Sequence, residues 1–297
     1  MIELKSNMHS TDEIEFVQEL PVLRPRPAGS NKGMFGRVLV VAGSRGMSGA
    51  AVLSASAALR GGAGLVRLAV PAEILPIVAG ANPCYLTAPL SQDTEGRIAK
   101  EASGALLTLV EANDVLALGP GLGRSEQLTA LVFRLLSEVQ KPLVLDADGL
   151  NALEGQTVRL QSRPAPTVLT PHPGEFARLL GTTIKAVQDR RQELAVPFAA
   201  KNRVILVLKG KGTIVTDGGR VYVNSTGNAG MATGGTGDVL TGLISAFLGQ
   251  GLDAFAAAQL GVHIHGLAGD LARDELGEVA LIASDLLDFL PSAIQNF

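Results

Sequence analysis

Tryptophan is absent from the 297 residues, tyrosine occurs twice and cysteine once. Without aromatic platforms the chain has little on which successive bases could stack, which argues against a binder of single-stranded nucleic acid. A lone thiol, Cys84, excludes an internal disulfide framework and a multi-cysteine zinc site, and it suits a reducing, cytoplasmic setting. It lies in Asn82-Pro83-Cys84-Tyr85 with no helix start or base beside it, so a buried structural thiol is expected rather than a nucleophile. Neither sign of charge is in excess. The 25 Lys and Arg against 28 Asp and Glu give a net −3, which provides no basic field for nucleic acid and no polybasic membrane patch. No apolar run approaches the roughly 18 to 20 residues that span a bilayer, and the stretch holding Glu3, Lys5, Asp12, Glu13 and Glu15 lacks a signal-peptide core. A full Walker A string and an H-E-x-x-H zinc motif are also missing. Small molecules are the expected partners.

What is present is Ala, Val, Leu and 35 Gly in a chain that is 46% hydrophobic, a mixture that suits buried parallel strands and closely packed helices. Residues 1–30 read as an arm, because Pro21, Pro25 and Pro27 forbid regular helix. Residues 31–297 show no convincing linker and read as one α/β domain. Apolar strands are expected at Arg37–Ala42, Leu65–Val70, Asp114–Leu118, Pro142–Asp146, Thr167–Leu169, Val204–Leu208, Ile214–Thr216 and Val221–Val223. Helices are expected at Ala50–Arg60, Ile98–Glu111, Glu126–Val139, Ile184–Lys201, Val239–Leu248, Ala254–Leu271 and Ser284–Leu290, while Pro71–Gly96 carries no assignable pattern. His263 and His265, inside a long apolar helix, read as core or interface residues.

Several strands end in glycine-rich or polar loops, the place where open α/β sheets bind ligands. They are Gly43–Gly49, Gly119–Gly123, Asp146–Asn151, Thr170–Glu175 and Lys209–Thr213. His172 sits between two prolines, a rigid setting for a ring that contacts a ligand. Glu175 is the candidate for a loosely held Mg²⁺, reached through water. Lys209 and Lys211, among Gly210 and Gly212, could hold a nucleotide phosphate or merely keep an edge strand soluble. The dominant stretch runs from Asn224 to Asp238 and leads into the Val239 helix. Gly234, Gly235 and Gly237 free the backbone so that unpaired N–H groups converge at a helix N-terminus, which is an anion site. Asp238 could simply cap the helix, since Asp is favoured in a first turn; beside a bound phosphate it would be repelled unless it had a proton to take, which makes a general base next to a transferable phosphoryl group the functional reading.

The set Gly43-Ser44-x-x-Met47-Ser48-Gly49-Ala50-Ala51, Gly119-Pro120-Gly121-Leu122-Gly123, Asp146-Ala147-Asp148, Thr170-Pro171-His172-Pro173-Gly174-Glu175, Leu208-Lys209-Gly210 with Thr213, and Asn228–Asp238 resembles the ADP-dependent NAD(P)H-hydrate dehydratase family. The resemblance runs from about Arg24 onward. It implies a ribokinase-like, three-layer α/β/α fold with a mostly parallel central sheet. It also implies dehydration of the S epimer of hydrated NADH or NADPH, with ADP as co-substrate and Mg²⁺, giving AMP and phosphate. In that frame Asp238 takes the ring hydroxyl proton, with donors from Gly235, Thr236 and Gly237. Ala51, Gly121 and His172 contact the hydrated dinucleotide, and Lys209, Gly210, Lys211, Gly212, Thr213 and Gly237 hold the adenine nucleotide. A stand-alone dehydratase is implied, working with a separate epimerase and assembling as a homo-oligomer, a tetramer by analogy. Asn31 stands where the family more often has His. A ribokinase-like kinase of vitamin or sugar hydroxyls, and a dinucleotide-binding regulator without turnover, use the same glycine loops and remain alternatives.

Overall fold

The computed structural model describes residues 14–297. Ten strands form one sheet: β1 (Glu15–Phe16), β2 (Arg37–Val41), β3 (Leu65–Pro71), β4 (Leu86–Leu90), β5 (Val115–Leu118), β6 (Leu143–Leu145), β7 (Thr167–Leu169), β8 (Ile205–Leu208), β9 (Ile214–Thr216) and β10 (Arg220–Val223). Their spatial order is β1-β10-β9-β8-β7-β6-β5-β2-β3-β4. Every pairing is parallel except those of β9, which runs against both β8 and β10. The chain begins the parallel part at β2, moves out to β3 and β4, then returns to β5 on the other side of β2. That reversal creates a crevice at the carboxyl ends of β2 and β5, where ligands of such sheets bind.

The sheet is buried on both faces, and the pleat sorts its residues by size. In β5 to β8, Val115, Ala117, Val144, Val168 and Val207 face one side. Leu116, Leu118, Leu143, Leu145, Leu169, Leu206 and Leu208 face the other. The Leu face is covered by α3 (Ser103–Glu111), α4 (Glu126–Glu138), α6 (Pro173–Leu180), α7 (Ile184–Asp189) and α8 (Arg191–Asn202). The Val face is covered by α1 (Ser48–Arg60), α9 (Thr236–Gly249), α10 (Ala254–Leu276) and α11 (Ala283–Gln295). Two shorter helices, α2 (Leu75–Ala81) and α5 (Ala147–Asn151), complete the set. The α/β class and the mostly parallel sheet are as expected from the sequence.

Small residues set the spacing of α1 and α9. A methyl group added at Gly242 would lie 2.0 Å from the Ser54 carbonyl oxygen and 2.9 Å from Ala57 Cβ. The two helix backbones therefore touch, which fixes the N-terminus of α9 relative to the sheet.

The structure departs from the sequence expectations in four places. Pro71–Gly96 contains α2 and the edge strand β4; Pro76 falls in the first turn of α2, and Pro89 pairs with Val70 on an edge, both positions that tolerate a missing N–H. The stretch expected as one helix from Ile184 breaks at Arg190 into α7 and α8. The arm, in its described part, adds β1 to the chain's own β10, and Gln259 donates to the Glu19 carbonyl. Its first 13 residues lie outside the described ones. Finally, Cys84 is exposed. It sits in the turn between α2 and β4, where Asn82 accepts its backbone N–H, and that turn leads into the edge strand of the sheet.

The close contact at Gly242 makes a prediction. Gly242→Val should lower stability by at least about 2 kcal/mol through overpacking, read as a fall in the urea midpoint with the slope unchanged. An unaltered midpoint would contradict the backbone contact between α1 and α9.

Candidate active site

The carboxyl ends of β2, β5, β6, β7 and β8 deliver the polar loops to one edge of the sheet. After β2 and β5 the two glycine loops are stapled together: Gly43 N–H donates to the Pro120 carbonyl at 2.8 Å, and Ser44 Oγ donates to the Gly121 carbonyl at 2.8 Å. Gly121 has φ +63°, and a methyl there would sit 3.0 Å from the Met47 carbonyl, so the loop passes flush against the start of α1. After β7, His172 caps α6. Its Nδ1 accepts from the N–H groups of Gly174 (3.0 Å) and Glu175 (3.3 Å), while Glu175 Oε2 accepts the His172 N–H at 2.8 Å. This reciprocal box leaves the His172 proton on Nε2, which lies 3.5 Å from Glu175 Oε1 on a half-exposed ring.

At the centre stands the first turn of α9. Gly235 takes φ +96°, which an L side chain rarely adopts, and a methyl there would lie 2.6 Å from Leu53 Cδ1. The backbone N–H groups of Gly235, Thr236 and Gly237 donate to no described residue, whereas those of Asp238 and Val239 donate to the Gly235 carbonyl. Three open donors at a helix N-terminus make an anion site.

Beneath this turn lies a buried ion pair. Lys209 Nζ donates to Asp146 Oδ1 at 2.9 Å, and the other carboxylate oxygen, Oδ2, accepts from Thr241 Oγ1 at 2.8 Å. Asp146 is 1% exposed. Lys209 Nζ also lies 3.0 Å from where a methyl on Gly237 would be, so a side chain there would crowd the ammonium at the helix start. Although burial opposes its charge, the carboxylates of Asp146, Glu175 and Asp238 keep the Lys209 ammonium raised above its usual range. Asp238 fares differently. Burial pushes its pKa up to about 7, helped by the charges of Asp146, Glu175 and Asp148 and opposed by Lys209. Asp146 holds the hydrogen bonds, so Asp238 is the carboxyl that takes a proton near neutrality, the separation expected of an acid–base group beside a fixed counter-charge.

A cavity of about 830 Å³ opens on the other side of the α9 start. Lys209, Gly210, Lys211, Gly212 and Thr213 form one wall, Asn224 to Ala229 a second, Thr236, Gly237 and Leu240 the floor, and Val262, His265 and Gly266 of α10 the last. α10 holds the Thr226–Asn228 loop in place: Thr226 Oγ1 donates to the His263 carbonyl, and Asp270 accepts from Gly227 N–H and from Asn228 Nδ2.

The structure thus brings Lys209 to Thr213 and Gly237 together around one cavity, with Asp238, the next residue of the same helical turn, outside the cavity lining and near the charges of Asp146, Asp148 and Glu175. Ala51, Gly121 and His172 do not line that cavity. Ala51, in the first turns of α1, is fully buried, so the structure does not bring it to an open surface. Glu175 is 6% exposed and committed to the His172 box, and no group of three or more metal-ligating side chains occurs among the described residues. Asn31, where the resemblance leads one to look for His, caps a short 3₁₀ turn at Lys32–Phe35 by accepting the Gly33 N–H. Sequence reasoning missed Thr241 and His265. Thr241 lies three residues after Asp238 on one helix face, a spacing that could have flagged it. His265 belongs to the cavity rather than solely to the core.

A profile described as NAD(P)H-hydrate dehydratase matches residues 38–292. A bifunctional NAD(P)H-hydrate repair enzyme of Moorella thermoacetica is 48% identical over 272 residues, which is 91% of this chain and 51% of that protein. The chain spans about half the length of the curated relatives it matches. An ADP/ATP-dependent NAD(P)H-hydrate dehydratase of Bacillus subtilis, co-crystallised with ATP and Mg²⁺, superposes with a TM-score of 0.80 at 33% identity, over 92% of this chain and 94% of that one. A ribokinase-like superfamily protein of Enterococcus faecalis gives 0.81 at 26% identity, over 95% and 96% of the two chains. With a ribokinase-like fold and a match spanning nearly its whole described length, the chain belongs to the NAD(P)H-hydrate dehydratase family.

Proposed function

We propose that the protein dehydrates the S epimer of hydrated NADH or NADPH, using ADP as phosphoryl donor. The observation that carries this reading is Asp238, a buried carboxyl near the charges of Asp146 and Glu175, where burial pushes its pKa up to about 7, on the same helical turn as three open N–H donors. Hydroxide is a poor leaving group. Asp238 accepts the proton of the ring hydroxyl as its oxygen attacks the β-phosphorus of ADP; the bond from phosphorus to the bridging oxygen breaks and AMP leaves. The ring nitrogen's electron pair then expels phosphate and a ring proton is lost, which restores the reduced nicotinamide. The N–H groups of Gly235, Thr236 and Gly237 receive the charge on the transferring phosphoryl group without reorganisation, a preorganised oxyanion site.

Lys209 to Thr213 and Gly237 hold the nucleotide in the cavity, while Ala51, Gly121 and His172 contact the hydrated dinucleotide, with Nε2–H of His172 as the available side-chain donor. The carboxylates here suit a Mg²⁺ that arrives with the diphosphate and keeps most of its water, with Glu175 reaching it through water: Asp146 is already paired with Lys209 and hydrogen-bonded by Thr241, and no protein cage is on offer among the described residues. When bound, the ion neutralises diphosphate charge. An epimerase activity supplies the S epimer, a homo-oligomer is the assembly implied by the family, and the exposed thiol of Cys84 suits a reducing cytoplasm.

Incubation with verified S-hydrated NADH, Mg²⁺ and ADP should restore the near-ultraviolet absorbance of the reduced ring and release one AMP per ring recovered. A stable phosphoester product, with no recovery, would instead make the protein a small-molecule kinase. Asp238→Asn should cut turnover by about 10² to 10⁴, as loss of a general base does, while ADP still binds; full turnover would remove Asp238 from the chemistry. Because the base must be ionised, kcat/KM should rise with pH through about 7 and level off above it. A profile flat through that region would contradict the assignment.

A further inference from the structure

The nucleotide cavity contains a histidine to which the chemistry above gives no part. His265, on α10, places Nε2 2.9 Å from the carbonyl oxygen of Thr236, the first residue of α9. A carbonyl only accepts, so Nε2 carries the hydrogen and Nδ1 is left as a lone pair. Burial holds the ring neutral, with its pKa pushed down to about 4. Nδ1 has no hydrogen-bond partner among the described residues, and it is not sealed in: the one fully enclosed side-chain nitrogen or oxygen without a partner among them is Asn202 Oδ1. The surface that His265 presents lines the cavity beside Thr226, Leu240 and Gly266.

A neutral imidazole lone pair cannot face a phosphate oxygen, because both are acceptors; it requires an N–H or O–H. A nucleoside diphosphate offers such donors at its ribose hydroxyls and at the exocyclic amine of adenine. We propose that His265 is a specificity-determining residue of this site, its Nδ1 accepting a hydrogen bond from one of those donors while Nε2 anchors the start of α9. The inference rests on the cavity being the nucleotide site.

The test is calorimetric affinity of the wild-type protein and His265→Gln for ADP, 2′-deoxy-ADP and IDP. Glutamine can still donate to Thr236 but offers no acceptor at the place of Nδ1. Wild type should favour ADP over the analogue lacking the donor by about 3- to 10-fold, the worth of one neutral hydrogen bond, and His265→Gln should bind the two equally. Loss of preference in the 2′-deoxy-ADP arm assigns the ribose, and in the IDP arm the adenine amine. Retained discrimination, or a uniform weakening toward all three nucleotides, would overturn the inference while leaving the nucleotide site in place. No ADP binding by wild type would remove both. If the variant does not fold, ¹⁵N resonances of the wild-type histidines serve instead: His265 Nδ1 should shift on ADP addition but not with the analogue that lacks the donor, and an unmoved resonance counts against the inference.

Discussion

The site depends on one buried ion pair, Lys209 with Asp146, under the first turn of α9. Such pairs are expensive to desolvate and persist only when further hydrogen bonds complete them. Here Thr241 supplies the additional bond, so a carboxylate from the end of β6 is joined both to the end of β8 and to α9. The arrangement fixes charge where the chemistry needs it. One ammonium serves two carboxyls, Asp146 holds it directly, and Asp238 is left in a buried position surrounded by like charge, where its proton is lost only near neutrality.

The same turn of helix divides the site in two. Gly235, Thr236 and Gly237 turn open N–H groups outward, Gly237 also borders the cavity, and Asp238 meets the carboxylates of the sheet edge. Glycine makes this division possible at two points. Gly235 supplies the left-handed turn that starts the helix, and Gly237 leaves room for the Lys209 ammonium. The helix is held in register by its contact with α1 at Gly242, and the loop leading to it is tied to α10 through Thr226, Gly227 and Asn228.

Much of this was legible in the sequence because it depends on local pattern. Apolar runs ending in glycine or polar loops marked β2, β5, β6, β7 and β8, and the glycines before Asp238 marked the helix start where three N–H groups stay open. What was illegible depends on partners distant in the chain. Asp146 was visible as a polar strand end, but nothing local tells that Lys209, 63 residues later, and Thr241, 95 residues later, share it. His265 read as a core or interface residue because its neighbours are apolar, and only the packing of α10 on the start of α9 brings it to the cavity. His172 was noticed for its rigidity, whereas its Nδ1 is spent on capping α6. The prolines of Pro71–Gly96 obscured an edge strand and a helix, since proline is tolerated at an edge and in a first turn but looks like a breaker in sequence. Cys84 was misplaced because hydrophobic character says nothing about which turn borders solvent.

This surrounding of charge and burial holds the proton on Asp238 until about neutral pH. A ¹³C NMR titration of the side-chain carboxyls in the ligand-free protein, assigned by comparison with Asp238→Asn, tests it directly. One aspartate resonance titrating near pH 7, absent from the variant, is the predicted result. An Asp238 carboxyl already ionised in the ordinary range of about pH 4 would contradict the account.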